Sequence, residues 1–242
     1  DNDADIEYPA LSEFAVGPLL WTPNANSALS LEAPADDVTV PLIAGWNMMS
    51  INVIPPVEFW SDHEIGNWEN GEAGPEIFKM TDHLRIDEDN HRIEVMKNDI
   101  GQFYAPAFNF NNIPYWNLNE GYMMKMEEAI DAVWIGNRIP SDATIPLTEG
   151  WNISSYYPTY SLDASAEDFY VLSTILEHVR SAKDVRGRFM WPEFEFSNME
   201  PWCESQGYLI NVDRDIELNY PPQQDEVARN TPLFNKEFHH WE

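Results

Sequence analysis

The sequence predicts a mainly β protein made of two tandem small β-sandwich or barrel-like modules related by internal duplication, with a short helix in at least the second. Three observations carry this: a ten-residue block that recurs, a longer block that recurs without a gap, and a succession of short β-forming runs punctuated by Gly, Pro and Asx turns.

The first block, Pro41-Leu-Ile-Ala-Gly-Trp-Asn-Met-Met-Ser50, returns 105 positions later as Pro146-Leu-Thr-Glu-Gly-Trp-Asn-Ile-Ser-Ser155, with six of ten positions identical. The second, 95–130, matches 181–216 at an offset of 86 with eleven identities in 36 positions, where chance would give roughly two at ordinary residue usage. Lys97/Lys183, Gly101/Gly187, Phe103/Phe189, Phe108/Phe194, Phe110/Phe196, Trp116/Trp202 and Tyr122/Tyr208 are among them. The offsets differ by 19, so the first copy carries extra residues within 55–94, where Trp60, Gly66, Trp68, Gly71, Gly74 and Pro75 mark a long loop. The expected organisation is an N-terminal extension over 1–39, a first module over 40–140, a second over 141–222 and a linker over 223–242. The short connection Gly136–Asp142, stiffened by Pro140, is expected to limit flexing between modules.

Each copy opens with a β-forming stretch, Leu42–Ile54 or Ile145–Tyr157, broken near its Gly and ended by proline. Lys97–Gly101 and Lys183–Gly187 place Asx residues before a Gly able to adopt positive φ, a hairpin signature. Phe-x-Phe-x-Asn follows, alternating with period two, so both Phe rings are expected to face the core. Gly121–Met126 or Gly207–Val212 gives another strand, and Ile130–Ile135 or Ile216–Tyr220 the last. In the second copy Ser165-Ala-Glu-Asp168 offers an N-cap and an acidic first turn, with Tyr170, Leu172, Ile175, Leu176 and Val179 near one face, which predicts a helix. A counterpart with weaker periodicity is expected around Pro75–Leu84.

The string Gly-Trp-Asn-x-x-Ser, Lys-(Asp/Asn)-x-x-Gly-x-Phe, Pro, Phe-x-Phe-x-Asn, Trp and Gly-Tyr resembles an uncharacterised repeat module of large exported bacterial multidomain proteins, over about 40–221. Trp46/Trp151, Gly101/Gly187, Trp116/Trp202 and Tyr122/Tyr208 carry the match. The second copy departs from it at Asn211, where Lys125 stands in the first, and at Met190, where the first has Tyr104. The resemblance implies export, modular architecture and a secreted or cell-surface location, with other domains of the parent polypeptide as neighbours. It implies no activity. The absence of an initial Met and the ending at Trp241-Glu242 read as cuts in a longer chain.

The chain has 242 residues, 43% of them apolar and 13% aromatic, enough for a packed core. A formal charge of −29, from 42 acids against 13 Lys plus Arg, repels polyphosphate and anionic lipid, which argues against nucleic acid and membrane surfaces as partners. The acidity suits either hydration in a salty medium or coordination of divalent cations. Cys203 is the single cysteine and forms no internal disulfide. No His pair has metal-ligand spacing and no Gly-x-Ser-x-Gly elbow occurs, so no catalytic residues, cofactor or metal site are assigned. Ca²⁺ is the one ion considered. Asp1-Asn-Asp-Ala-Asp5 begins like a Ca²⁺ loop but has Ile6 where Gly belongs and Ser12 where Glu belongs, and Asp87-Glu-Asp-Asn90 reads as a solvated turn.

Flat aromatic faces stack on pyranose rings, so exposed Trp and Tyr on a β module point to polysaccharide. The aromatics shared by the copies are assigned to the core and the unshared ones to the ligand: Tyr156, Tyr157 and Tyr160 as the leading platform, Trp60 and Trp68 second, with Trp134 and Trp191. The leading function is a non-catalytic accessory module that binds carbohydrate. A structural spacer is the alternative and a glycan-acting hydrolase a distant third.

Overall fold

The first strand of the computed structural model, β1 (Asp36–Leu42), buries Val38, Val40 and Leu42 and exposes the residues between them, the period-two signature of a strand covered on one face. The structure describes residues 36–224. The Ca²⁺-like run at Asp1–Asp5, the N-terminal extension and most of the C-terminal linker lie outside the described residues.

Strands account for most of the regular structure, and every pairing is antiparallel. In the first half, β2 (Gly45–Met49), β3 (Val53–Ile54), β4 (Ile93–Lys97), β5 (Phe103–Ala105), β6 (Phe110–Asn111), β7 (Tyr122–Met126) and β8 (Ile130–Arg138) follow β1. In the second come β9 (Ile145–Leu147), β10 (Gly150–Ser154), β11 (Val179–Lys183), β12 (Phe189–Trp191), β13 (Phe196–Ser197), β14 (Tyr208–Val212) and β15 (Ile216–Leu218). One five-stranded sheet has the order β2-β7-β4-β5-β6 and the other β10-β14-β11-β12-β13. Beside them lie β1-β8-β3 and the pair β9-β15, and no sheet closes into a barrel among the described residues.

The halves agree in detail. Ladders β4–β7 and β11–β14 are each interrupted by a register shift, between Ile93 and Val95 and between Val179 and Ser181. Trp116 and Trp202 are fully buried against Tyr122 and Tyr208, with ring centroids 4.8 and 3.9 Å apart. The tyrosine hydroxyls accept hydrogen bonds from the Asn117 and Cys203 amides at 2.7 and 2.8 Å. Trp134 of β8 packs on Trp116, and Tyr220, just past β15, occupies the matching place beside Trp202.

Three expectations are corrected. No α-helix forms over 165–179: Phe169 takes a left-handed φ of 50°, the Val171 amide bonds back to the Asp163 carbonyl, and two 3-10 turns, Tyr170–Leu172 and Leu176–His178, result. The β-branched Val171, Thr174 and Ile175 also weaken helix propensity there. The α-helix, α1 (Ile77–Thr81), lies in the first half, inside the expected Pro75–Leu84 window. Second, the connection Gly136–Asp142 is strand as far as Arg138, and a Cβ on Gly136 would lie 2.2 Å from the Ile54 carbonyl oxygen of the adjoining strand. Third, the Phe-x-Phe rings do not enter the core. Pro106 and Pro192 start 3-10 turns that end at Asn109 and Glu195 in left-handed conformation, so Phe108 is 83% and Phe194 62% exposed.

A seam joins the halves with matched contacts on its two sides. The Gly207 amide donates to the Met48 carbonyl at 3.0 Å, and the Gly121 amide to the Ile153 carbonyl at 2.7 Å. The Ser50 amide donates to the Ser205 carbonyl at 3.2 Å, the Ser155 amide to the Asn119 carbonyl at 3.1 Å. The Ser50 hydroxyl donates to the Gln206 carbonyl at 2.7 Å and the Ser155 hydroxyl to the Glu120 carbonyl at 2.8 Å. Each pair is related by the offsets of the sequence repeat, as in a two-fold isologous interface. One hydrophobic cluster runs through both halves.

Candidate functional site

Of the seven aromatics expected to bind ligand, five are interior. Tyr156 and Tyr157 have no exposed surface: Tyr156 stacks edge-on against Trp202, Tyr208 and Tyr220, and the Tyr157 hydroxyl donates across the seam to Asn119 Oδ1 at 2.7 Å. Trp60, Trp68 and Trp134 are buried as well, Trp60 donating its indole N–H to Pro55 and Trp134 to Met80. A ring closed off on both faces offers nothing to a sugar. Tyr160 is half-buried, with its hydroxyl on the Pro221 carbonyl at 3.2 Å. Trp191 is the member of the set that stands out, 43% exposed.

The exposed aromatics are instead mostly repeated ones. In Gly-Trp-Asn-x-x-Ser each residue has a local task. Gly45 and Gly150 adopt φ of +90° and +102°, open to glycine. Asn47 and Asn152 clasp that bend: each Oδ1 accepts an amide at 2.9 Å, from Ile43 or Thr148, and each Nδ2 donates to the carbonyl of the same residue at 2.8 Å. With the Asn turned inward, strand alternation turns the preceding Trp outward, and Trp46 is 39% and Trp151 42% exposed.

The neighbouring strands add to the same outer face. Trp46 pairs with Lys125, and Lys97 lies opposite both Met123 and Phe103. In the second half Trp151 pairs with Asn211, and Lys183 lies opposite Leu209 and Phe189. Lys97 Nζ stands 5.4 Å from the Trp46 ring centroid and Lys183 Nζ 4.8 Å from that of Trp151, both within cation–π range. Phe103 stacks on Phe110 at 4.6 Å and Phe189 leans on Phe196 at 5.1 Å. The Asn of Phe-x-Phe-x-Asn closes this edge, Asn112 Oδ1 accepting the Phe103 amide at 2.6 Å and Asn198 Oδ1 the Phe189 amide at 2.7 Å. Each half therefore presents a flat strip of Trp, Lys and Phe.

Two hollows of similar size open on these strips. One of about 440 Å³ is bordered by Ser181, Lys183, Gly187, Phe189 and Trp191. The other, about 460 Å³, has Trp46, His91, Glu94, Phe108 and Lys125 among its walls. Lys125 is bound to Glu94, whereas Lys97 and Lys183 have no carboxylate partner among the described residues. In an acidic chain, two matching unpaired ammonium groups over Trp rings set this face apart.

Among the described residues no cluster of three or more His, Cys, Asp or Glu is placed to hold a metal. Asp87 is engaged in its own exposed turn, its Oδ1 accepting the Asp89 and Asn90 amides at 2.9 and 2.8 Å. Two neighbouring carboxylates are raised: burial, then the charge of Asp99, pushes Glu120 up to about 7, and burial also raises Asp99. Burial lowers His91 to about 4. Comparison with protein-family models, with curated proteins and with solved structures finds no match.

The repeated Trp46, Trp151, Phe110 and Phe196 escape sequence reasoning because a shared aromatic is as compatible with a shared surface as with a shared core. The available signal is the inward Asn after each Trp: two neighbours in a strand cannot both point inward.

Proposed function

We propose that this chain is a non-catalytic accessory unit of a secreted or cell-surface protein, and that it binds polysaccharide through the exposed Trp–Lys–Phe strips of its two five-stranded sheets. We also propose that the halves are copies of one module, a reading supported by identical strand orders, matching bulges and the paired seam contacts. The observation that carries the binding proposal is the outward Trp of each Gly-Trp-Asn, with a lysine at cation–π distance above it. Flat aromatic area at low conformational-entropy cost, bordered by hydrogen-bond donors, suits a sugar's apolar ring face and its hydroxyls. A spacer would be better served by polar residues, since exposed apolar patches invite association.

Native electrophoresis through gels cast with a panel of plant, algal and animal polysaccharides tests this. Retardation by at least one polymer is expected. Unchanged mobility across the panel would favour the spacer, and release of reducing sugar would favour the hydrolase.

A further inference from the structure

The two strips differ in charge, and most of the difference lies in one hairpin. The hairpin between β11 and β12 and its flanking strands carry Arg180, Lys183, Arg186 and Arg188 against a single carboxylate, Asp184, over 179–191. This is four of the chain's 13 cations in thirteen residues, on a protein of net charge −29. In the first half the corresponding positions are Glu94, Lys97, Ile100 and Gln102.

Two of the four cations are committed. Arg188 Nε bonds Asp184 at 2.6 Å, with a second nitrogen on Glu200 at 2.5 Å, and Arg180 lies 3.6 Å from Glu149. Asp184 is buried and accepts the Arg186 and Arg188 amides at 2.9 and 3.0 Å, so its charge is used to shape the turn. Lys183 and Arg186 are exposed and have no ion pair among the described residues. Lys183 borders the hollow of about 440 Å³ that Phe189 and Trp191 wall, and Trp151 lies beneath its ammonium. Trp191 is itself special to this half, replacing the buried Ala105. Glu193 and Glu195 follow on the next turn, beyond the hollow's walls.

We infer that the second strip and its hairpin recognise a glycan bearing anionic substituents, uronate carboxylates or sulfate esters, with Trp151, Phe189 and Trp191 stacking the sugar, Lys183 taking charge at the hollow and Arg186 taking it on the other side of the turn, where it borders a groove shared with Trp46. The inference rests on the polysaccharide-binding reading. Remote acids on the protein do not prevent it, because exposed charges beyond a Debye length of about 8 Å at physiological salt are largely screened. The first hairpin carries Lys97 but has Ile100 and Gln102 where the second has Arg186 and Arg188.

The test compares binding of the whole chain to polygalacturonate, dextran sulfate and uncharged dextran at constant ionic strength, for the native protein, K183Q/R186Q and R214Q. Binding to polygalacturonate or dextran sulfate is expected, and whichever is preferred identifies the carboxylate or the sulfate as the group read. K183Q/R186Q should bind that polymer about tenfold more weakly, the size of two exposed charge contacts, a larger loss than for any neutral polymer. R214Q, which removes an exposed cation paired with Asp213 outside both strips, should leave acidic-polymer binding within about twofold. Equal affinity of native protein and K183Q/R186Q, or equal binding of polyglutamate, would overturn the inference. Binding of neutral polymers alone would overturn it while leaving the glycan reading intact, and binding of none of a broad panel would overturn both. Because both side chains are exposed, the double variant keeps its fold, which its unfolding midpoint verifies.

Discussion

Gly121 and Gly207 face each other across the seam, so close that a Cβ built on Gly121 would lie 3.1 Å from the Cα of Gly207. That Cβ would also meet Ile153 at 2.8 Å and the Met49 carbonyl oxygen at 3.1 Å. Both glycines precede a fully buried tyrosine, Tyr122 or Tyr208, and both donate their amide across the seam. The need is for space, since neither has a positive φ.

Adding a methyl group there should force the halves apart. G121A is expected to lose about 1–3 kcal/mol of unfolding free energy, the range for overpacking a tight contact. G207A, at 3.0 Å from the Met49 carbonyl oxygen, should behave alike. Urea denaturation followed by tryptophan fluorescence measures both. Wild-type midpoints would show that the seam yields freely.

Two repeated tryptophans should respond in opposite ways. Trp202 is fully buried and stacked on Tyr208 with rings 4° from parallel, so W202A should cost about 3–5 kcal/mol. Trp151 is 42% exposed, and W151A should stay within about 0.5 kcal/mol of wild type, the norm for surface positions. Parallel denaturant melts distinguish the two.

Stability should depend on pH through Glu120. Its pKa is raised to about 7 from the ordinary carboxylate value near 4.5, first by burial and then by Asp99. The folded state therefore holds this proton more tightly than the unfolded one. Its stabilising effect is full below about pH 4.5 and is lost as pH rises through about 7, to the extent of about 2–3 kcal/mol. E120Q, which installs the residue that Gln206 provides on the other side of the seam, should flatten that slope and stabilise the protein above pH 7 by a similar amount. Melts from pH 5 to 8 on both proteins measure it, and parallel curves would remove Glu120 from the account.

Much of the architecture was legible in the sequence, and the residues show why. Repeated Gly101 and Gly187 with their Asx neighbours specify hairpins, because few residues accept φ near +80°. The tyrosine after each seam glycine and the nearby Trp specify a core, because large rings gain most from burial. The helix that the spacing predicts over 165–179 does not form, because periodicity does not register a left-handed residue such as Phe169 or the pull of Asp163 on the chain. The burial of the expected Tyr platform has a different cause. Tyr156 and Tyr157 follow Ser154-Ser155 into the seam, and a contact between halves leaves no mark in local sequence. Exposure of Phe108 and Phe194 turned on the left-handed Asn109 and Glu195, where only the Asn gives a hint.

The most direct measurement is a calorimetric titration of the polysaccharide best retained in the gel panel into the native protein and into W46A/W151A. Loss of about 1–3 kcal/mol of binding free energy per stacked ring, with an unchanged unfolding midpoint, is the expected result, by analogy with ring-on-aromatic stacking elsewhere. Equal affinity of the two proteins would contradict a role for the outward tryptophans.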